Sequence, residues 1–198
     1  MRAVEAVTRP VCRSAEVSTP EPIGSLPADP SSILGAVPTP DYVLDLRRAY
    51  GQGRLLLPGV SAVVVRVDPG SGRPHVLLNR RSDSGLWSLP SGIVEPDEQP
   101  ATALAREVLE ETRVEVEVER LALLVTEPEM TFGNGDRCQF IAMTFRCRYR
   151  SGVAAVGDDE STGVGWFPAD DLPADLDERY RRRITVALAD QEACVFNL

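Results

Sequence analysis

Pro100-Ala-Thr-Ala-Leu-Ala-Arg-Glu-Val-Leu-Glu-Glu-Thr112 has the period of an amphipathic helix. Proline suits the first helical position, where its missing N–H would be unpaired anyway. At about 100° per residue, Ala101, Leu104, Ala105, Val108 and Thr112 form one apolar stripe, which must face a core. Glu107, Glu110 and Glu111 fall together on an adjacent sector, at spacings of one, three and four residues. Like charges so placed repel by a few tenths of a kcal/mol per pair. Two of them also sit in the last turn, where the helix dipole disfavours anions. Folding alone would not select this arrangement. Either it is a solvated acidic face balanced by Arg106 and Arg113, or the carboxylates serve to ligate a hard cation, Mg²⁺ or Mn²⁺, through oxygen.

Working outward, Val114 to Val118 alternates as a half-buried strand continuing to Thr126, and Cys138 to Tyr149 reads as a longer strand. Before the helix, Pro58–Asp68 and His75–Arg81 are rich in Val and Leu and are joined by a turn-rich Asp68–Pro74 linker, so they read as neighbouring strands. Trp87–Pro90 is a short apolar element, and Val164–Phe167 a short strand after an acidic loop. A last helix is expected from about Asp177 to Ala193, and a first one from Asp41, capped by that aspartate and stopped by Gly51. Strands with helices before, within and after them predict an α/β sandwich. Residues 1–40 carry seven of the sixteen prolines and no sustained period, which reads as a poorly ordered tail ahead of a domain at 41–198.

Composition narrows the chemistry. All 21 basic residues are arginine, against 30 acids and one histidine, for a net charge of −9. Without lysine there is no Schiff base and no Walker-type phosphate loop. A lone His75 rules out a zinc site built on several imidazoles. The acidic balance argues against nucleic-acid binding. Cys12, Cys138, Cys147 and Cys194 lack metal or redox spacing, and no apolar run suggests a secretion signal or a membrane span, so a cytoplasmic protein with reduced thiols is expected.

From Gly92 the sequence runs Gly92-Ile-Val-Glu-Pro-Asp-Glu98, then seven residues, then Arg106-Glu107-Val108-Leu109-Glu110-Glu111-Thr112-Arg113-Val114. This resembles the Nudix box, G-x5-E-x7-R-E-U-x-E-E-x-G-U with U apolar, and departs only at the final Gly, which is Arg113. The lead-in from Leu78 to Ser91, with Leu89-Pro-Ser-Gly92, is similar to that of MutT-like members. The resemblance implies a Nudix-type α/β/α sandwich with a mixed sheet. It also implies Mg²⁺- or Mn²⁺-dependent hydrolysis of a nucleoside diphosphate linked to a group X. A nucleoside triphosphate giving monophosphate and pyrophosphate is favoured; ADP-ribose or sugar-nucleotide hydrolysis is the alternative. A reading of another class is a nucleotide sensor on the same fold, which loss of box carboxylates would favour, and none is lost.

Carried over by position, the resemblance implies metal ligation by Glu107, Glu110, Glu111 and the Gly92 carbonyl, with Glu107 and Glu110 also catalytic. Glu98 and Arg106 are expected to form the ion pair that holds the loop to the helix. Glu160, in Asp158-Asp159-Glu160, is the further acid expected to bind metal or activate water. Arg80 and Arg81 offer forks for a diphosphate, or a strand end pairing with Asp83. Trp87 could stack on a base, or belong to the core beside Leu86 and Leu89. The 133–137 turn would line the pocket through Phe132 or Gln139, and the arginines at 179 and 181–183 read as a salt-bridged surface or a homodimer contact. Arg113 must adopt the positive φ that glycine takes easily, at about 1 kcal/mol, or end the helix differently.

Overall fold

The computed structural model describes residues 39–132, 134–189 and 191–196. Residues 1–38 of the expected tail, with Cys12, and Gly133 of the expected turn lie outside the described residues. Helix α1 (Asp41–Tyr50) leads into strand β1 (Leu55–Val67) and then β2 (Pro74–Arg81). Two short strands, β3 (Trp87–Ser88) and β4 (Ser91–Ile93), bring the chain to helix α2 (Pro100–Thr112). β5 (Val114–Thr126), the brief β6 (Met130–Thr131) and the long β7 (Arg137–Gly152) follow. β8 (Ser161–Pro168), helix α3 (Glu178–Leu188) and β9 (Val195–Phe196) complete the order.

The strands form one mixed sheet with the central order β3-β2-β1-β7-β5-β9; β4 pairs with β1, β6 with β7 and β8 with β2. β1 and β7 run parallel, from Leu55 opposite Cys138 to Val65 opposite Arg148, whereas β1 and β2 pair antiparallel. A strand placed in the middle with helices on both sides needs apolar residues at successive positions, which is why β1 reads as a continuous Val- and Ala-rich run. Its Val60, Ala62 and Val64 pack with Leu104 and Val108 of α2, and its Val63 and Val65 pack with Tyr180 and Ile184 of α3. The α/β/α sandwich follows from that alternation. A third cluster, Val43, Leu55, Leu57 and Cys138, seats α1 at the end of the sheet.

Three local expectations are corrected. Asp41 does not cap α1: Pro40 holds the cap position without a side-chain bond, and Asp41 lies in the first turn, where a carboxylate still favours the dipole. Helix α3 ends at Leu188, with Arg120 Nη2 donating to the carbonyls of Ala187 and Ala189 at 3.0 Å each. Its start is set by Asp177 Oδ1, which accepts from the Arg179 N–H at 2.8 Å. The buried face of α2 is turned by roughly 50°, half a residue step, from the apolar stripe. Ala103 and Glu111 are thereby inside and Ala101 is exposed. No helix among the described residues is long and apolar enough to cross a membrane.

Candidate active site

Rotation of α2 separates its three glutamates. Glu110 looks outward, with its side chain 54% exposed, and Glu107 is largely covered. Glu111 is fully inside at 3%. Strand β4 lies directly over Glu107, because Gly92 pairs with Val60 of β1 and presses on the helix. A Cβ at Gly92 would stand 2.0 Å from Glu107 Cδ, so no other residue fits there without displacing that carboxylate.

Arg106 ties the preceding loop to the helix. Its Nε and Nη2 donate to Glu98 Oε1 and Oε2 at 3.0 and 3.1 Å, a bidentate pair. Its Nη1 reaches Glu107 at 3.0 Å and Glu110 at 3.1 Å. One guanidinium thus faces three carboxylates, which holds it firmly protonated and keeps Glu98 ionised below the usual range through the same hydrogen bonds.

Behind these, Glu111 Oε2 accepts from Asn79 Nδ2 and from the Ser91 N–H, each at 3.2 Å. The orientation of Asn79 is fixed in turn: Ser88 Oγ donates to its Oδ1 at 2.8 Å, which turns the amide nitrogen towards Glu111 and Ser161 Oγ. The donors to Glu111 are an amide and a backbone N–H, and burial, reinforced by Glu107, Glu160 and Asp158, pushes its carboxyl well above the ordinary range. Burial likewise raises Glu107 to about 7 against the pull of Arg106, and Glu160 to about 7 with help from Asp158. Three carboxyls raised together, with only Arg106 acting on Glu107 and Arg81 on Glu160, cost stability, as is typical where acids are gathered for chemistry.

Asp158 and Glu160 come to this place on the loop between β7 and β8. The N–H of Ala155 donates to Thr112 O at 3.1 Å and that of Gly157 to Glu111 O at 3.0 Å, so the loop satisfies carbonyls that the end of α2 would leave open. Gly157 is required by approach, since a Cβ there would lie 1.8 Å from Glu110 O. Arg113 adopts the left-handed conformation, φ 59° and ψ 21°, and its N–H bonds Leu109 O at 3.0 Å, as a glycine would in that place. Its side chain is put to use: Nη2 donates to the Gly157 carbonyl. Glu107, Glu110, Asp158 and Glu160 line a cleft of about 470 Å³ together with Arg106 and Arg113.

The donor set suits a hard cation, being oxygen throughout, with no thiol or imidazole among the described residues that line the cleft. As the side chains stand, no group of three His, Cys, Asp or Glu among the described residues is arranged to hold a metal ion. Glu107 Oε1 instead accepts from Arg106 Nη1 at 3.0 Å. Thiol chemistry is disfavoured, as burial pushes Cys147 up to about 12 and also raises Cys138.

A family model, the NUDIX domain, matches residues 57–188, which include the box and the acidic loop. The chain is a Nudix hydrolase. It is 40% identical over 129 residues to a "MutT-like protein" of Streptomyces ambofaciens, covering 65% of this chain and 75% of that one. It is 29% identical over 110 residues to a "putative 8-oxo-dGTP diphosphatase" of Bacillus subtilis, 56% of this chain and 68% of that protein. The crystal structure of a MutT NUDIX hydrolase from Burkholderia pseudomallei superposes with a TM-score of 0.53 at 29% identity, over 66% of this chain and 97% of that one.

In this Nudix hydrolase, Arg80 and Trp87 are not gathered at the box. Successive residues of β2 point to opposite sides of the sheet. Leu77 and Asn79 therefore look towards α2, and Arg80 looks away, its Nε donating to Gly85 O at 2.6 Å. Trp87 packs edge-on against Phe167 at 4.7 Å and belongs to the α3 side with Leu176 and Tyr180. Arg81 stands on the box side but is bound to Asp83, Nε to Oδ1 at 2.9 Å, within electrostatic reach of Glu111 and Glu160. Phe132 packs in the α1 cluster and Gln139 bonds the Glu127 carbonyl, so neither is among the residues lining the cleft. Asn79, Ser88, Ser161 and Gly157 escaped the sequence reading. Asn79 had a signal, a polar residue two positions after buried Leu77 on one strand face, whereas Gly157 acquires its role only through a contact across the fold.

Proposed function

We propose that this Nudix hydrolase cleaves a nucleoside triphosphate to a nucleoside monophosphate and pyrophosphate, and that residues 41–198 form the domain that does so. The observation that carries the reading is the convergence of buried Glu111 with the partly covered Glu107 and Glu160, whose carboxyls are all raised although Arg106 acts on Glu107 and Arg81 on Glu160. The triphosphate is favoured by likeness to the MutT-like and 8-oxo-dGTP diphosphatase relatives.

Glu107, Glu110 and Glu111, with the Gly92 carbonyl, are the groups that would hold Mg²⁺ or Mn²⁺. When bound, such an ion neutralises phosphate oxygens and makes a water more acidic. The chain's own part is to place and deprotonate. Arg106 fixes the loop through Glu98 and orients Glu107. Asn79 and the Ser91 N–H hold Glu111. Glu160, raised to about 7, has the proton affinity to take a proton from water as its oxygen bonds phosphorus and the anhydride oxygen leaves with its electron pair. Arg81 exchanges Asp83 for a phosphate oxygen as substrate enters, which suits a guanidinium fork.

The test is turnover with Mg²⁺ over a panel of nucleoside triphosphates, ADP-ribose, sugar nucleotides and dinucleoside polyphosphates, with Glu111→Gln alongside. Monophosphate and pyrophosphate from a triphosphate, lost in the variant, is the expected result. Tight binding of one nucleotide with no turnover of any would overturn the enzymatic reading in favour of a sensor.

A further inference from the structure

We propose that Arg113, the residue at which the chain departs from the box pattern, is a positioning residue: it latches the 153–160 loop to the end of α2 and so sets where Asp158 and Glu160 stand. The loop meets the helix through three hydrogen bonds. Ala155 and Gly157 donate their N–H groups to Thr112 O and Glu111 O, and Arg113 Nη2 donates to the Gly157 carbonyl. Gly157 is thus held on both sides, its N–H by the helix backbone and its C=O by the helix-ending side chain. Its own lack of a side chain permits the approach, since a Cβ would stand 1.8 Å from Glu110 O.

The residues that follow the latch have little freedom left. The Glu160 N–H donates to Asp158 Oδ1 at 3.0 Å, and the Glu160 carbonyl accepts from the Ser82 N–H at 2.7 Å. From Gly157 to Glu160 the chain is therefore pinned at both ends, first to α2 and then to the end of β2. Arg113 is the pin that a glycine cannot supply. Its left-handed backbone is tolerated here with a guanidinium in place of the hydrogen that the box pattern would put there. The guanidinium's hydrogen-bond partner is a backbone carbonyl of the loop, not one of the carboxylates that the site collects.

The experiment uses the full chain and the variants Arg113→Gly, Arg113→Lys and Gly157→Ala. Hydrogen exchange at the Ala155 and Gly157 amides is the first readout and needs no substrate. Arg113→Gly is expected to speed it about tenfold, the scale of one lost charge-assisted hydrogen bond. Arg113→Lys, which keeps a cationic donor, restores most of the protection, and Gly157→Ala loosens the loop with the arginine still present. Melting temperature stays within about 3 °C for Arg113→Gly, because glycine takes the positive φ freely.

The second readout is steady-state kinetics on the triphosphate turned over best, and it rests on the proposed role of Glu160. Arg113→Gly should lower kcat about tenfold with KM unchanged, because a displaced base slows chemistry without weakening substrate binding. Unchanged exchange in Arg113→Gly overturns the latch. A raised KM with intact kcat overturns it too, assigning Arg113 to the substrate. If the wild-type chain hydrolyses no triphosphate, the exchange measurement still decides the latch while the catalytic reading fails separately.

Discussion

On the α3 side of the sheet, Arg183 is buried with its guanidinium on Glu127 and Ser61, donating to Ser61 Oγ at 2.7 Å. On the α2 side, Glu107, Glu111 and Glu160 are covered beside one another, with Arg106 shared among Glu107, Glu110 and Glu98. Both faces hide charge behind the same central strands, yet only the first satisfies it. A buried cation with a carboxylate and a hydroxyl has its desolvation cost largely offset, and its role is to hold α3 to β1. Buried acids without enough cations remain costly, and nothing in the fold recovers that cost until positive charge enters the cleft. Unpaired charge is therefore what separates the reacting face from the structural one.

Glu111→Gln breaks the comparison most sharply. Glutamine keeps the shape and still accepts from Asn79 and Ser91, but removes the charge. Activity should fall on the order of a thousandfold, the scale of losing one preorganised electrostatic group, with melting temperature unchanged or raised. A large loss of melting temperature would count against the idea that this face is strained. Arg183→Ala should do the reverse. It strands Glu127 and Ser61, costs about 3 kcal/mol of folding stability, and leaves kcat of the folded protein near wild type. Chemical denaturation and kinetics on both variants give the crossed pattern, or refute it.

Proton linkage extends the contrast. Glu107 and Glu160 carry folded pKa values of about 7 against 4.5 for an ordinary glutamate, so the folded state holds protons that the unfolded state has released. Their contribution is fully present below about 4.5 and is lost as pH rises through about 7. Glu98 and Asp83, whose carboxyls are lowered, act in the opposite sense, but only at more acid pH. The metal-free protein should therefore melt at falling temperature as pH rises from about 5 to 8, and Mg²⁺ should flatten that slope by occupying the charge. A melting temperature that climbs over this range without metal would contradict the account. Activity should rise with pH through about 7, since ligation and proton acceptance both need the ionised carboxylates.

Much of this was legible in the sequence because it is local. The limits of α2 and the pairing of β1 with β2 follow from a helix period and a turn, and the closeness of Glu98 to Arg106 is what the resemblance to the box implies. The half-step rotation of α2 was not legible, since the apolar stripe put Ala101 rather than Ala103 inside, and packing of the helix on its strands reversed that choice. The supports of Glu111 were hidden for a different reason: Asn79, Ser88 and Ser161 lie on three strands, and only sheet register brings them together. Arg113 illustrates both cases. Its need for a positive φ could be read from position, but its bond to Gly157, 44 residues onward, could not.

The smallest expected effect tests which way one strand residue points. Arg80 and Arg81 are adjacent, equally charged and equally suited to a phosphate by residue type. Arg81, where the register of β2 on β8 shifts, lies within electrostatic reach of Glu111 and Glu160 as well as of Tyr180, and Arg80 lies beside Trp87 and Asp175. Arg81→Ala should raise KM for the nucleotide about tenfold, one charge-assisted contact, and should lower stability as well by freeing the buried Asp83. Arg80→Ala removes the same charge one residue earlier and should leave KM and kcat within about twofold, because an exposed guanidinium on the far face acts on the cleft only through screened solvent. Equal rises in KM for the two variants would mean that substrate wraps around the β2 edge and reads both faces, and the division of the sheet into a reacting side and a structural side would then fail at that edge.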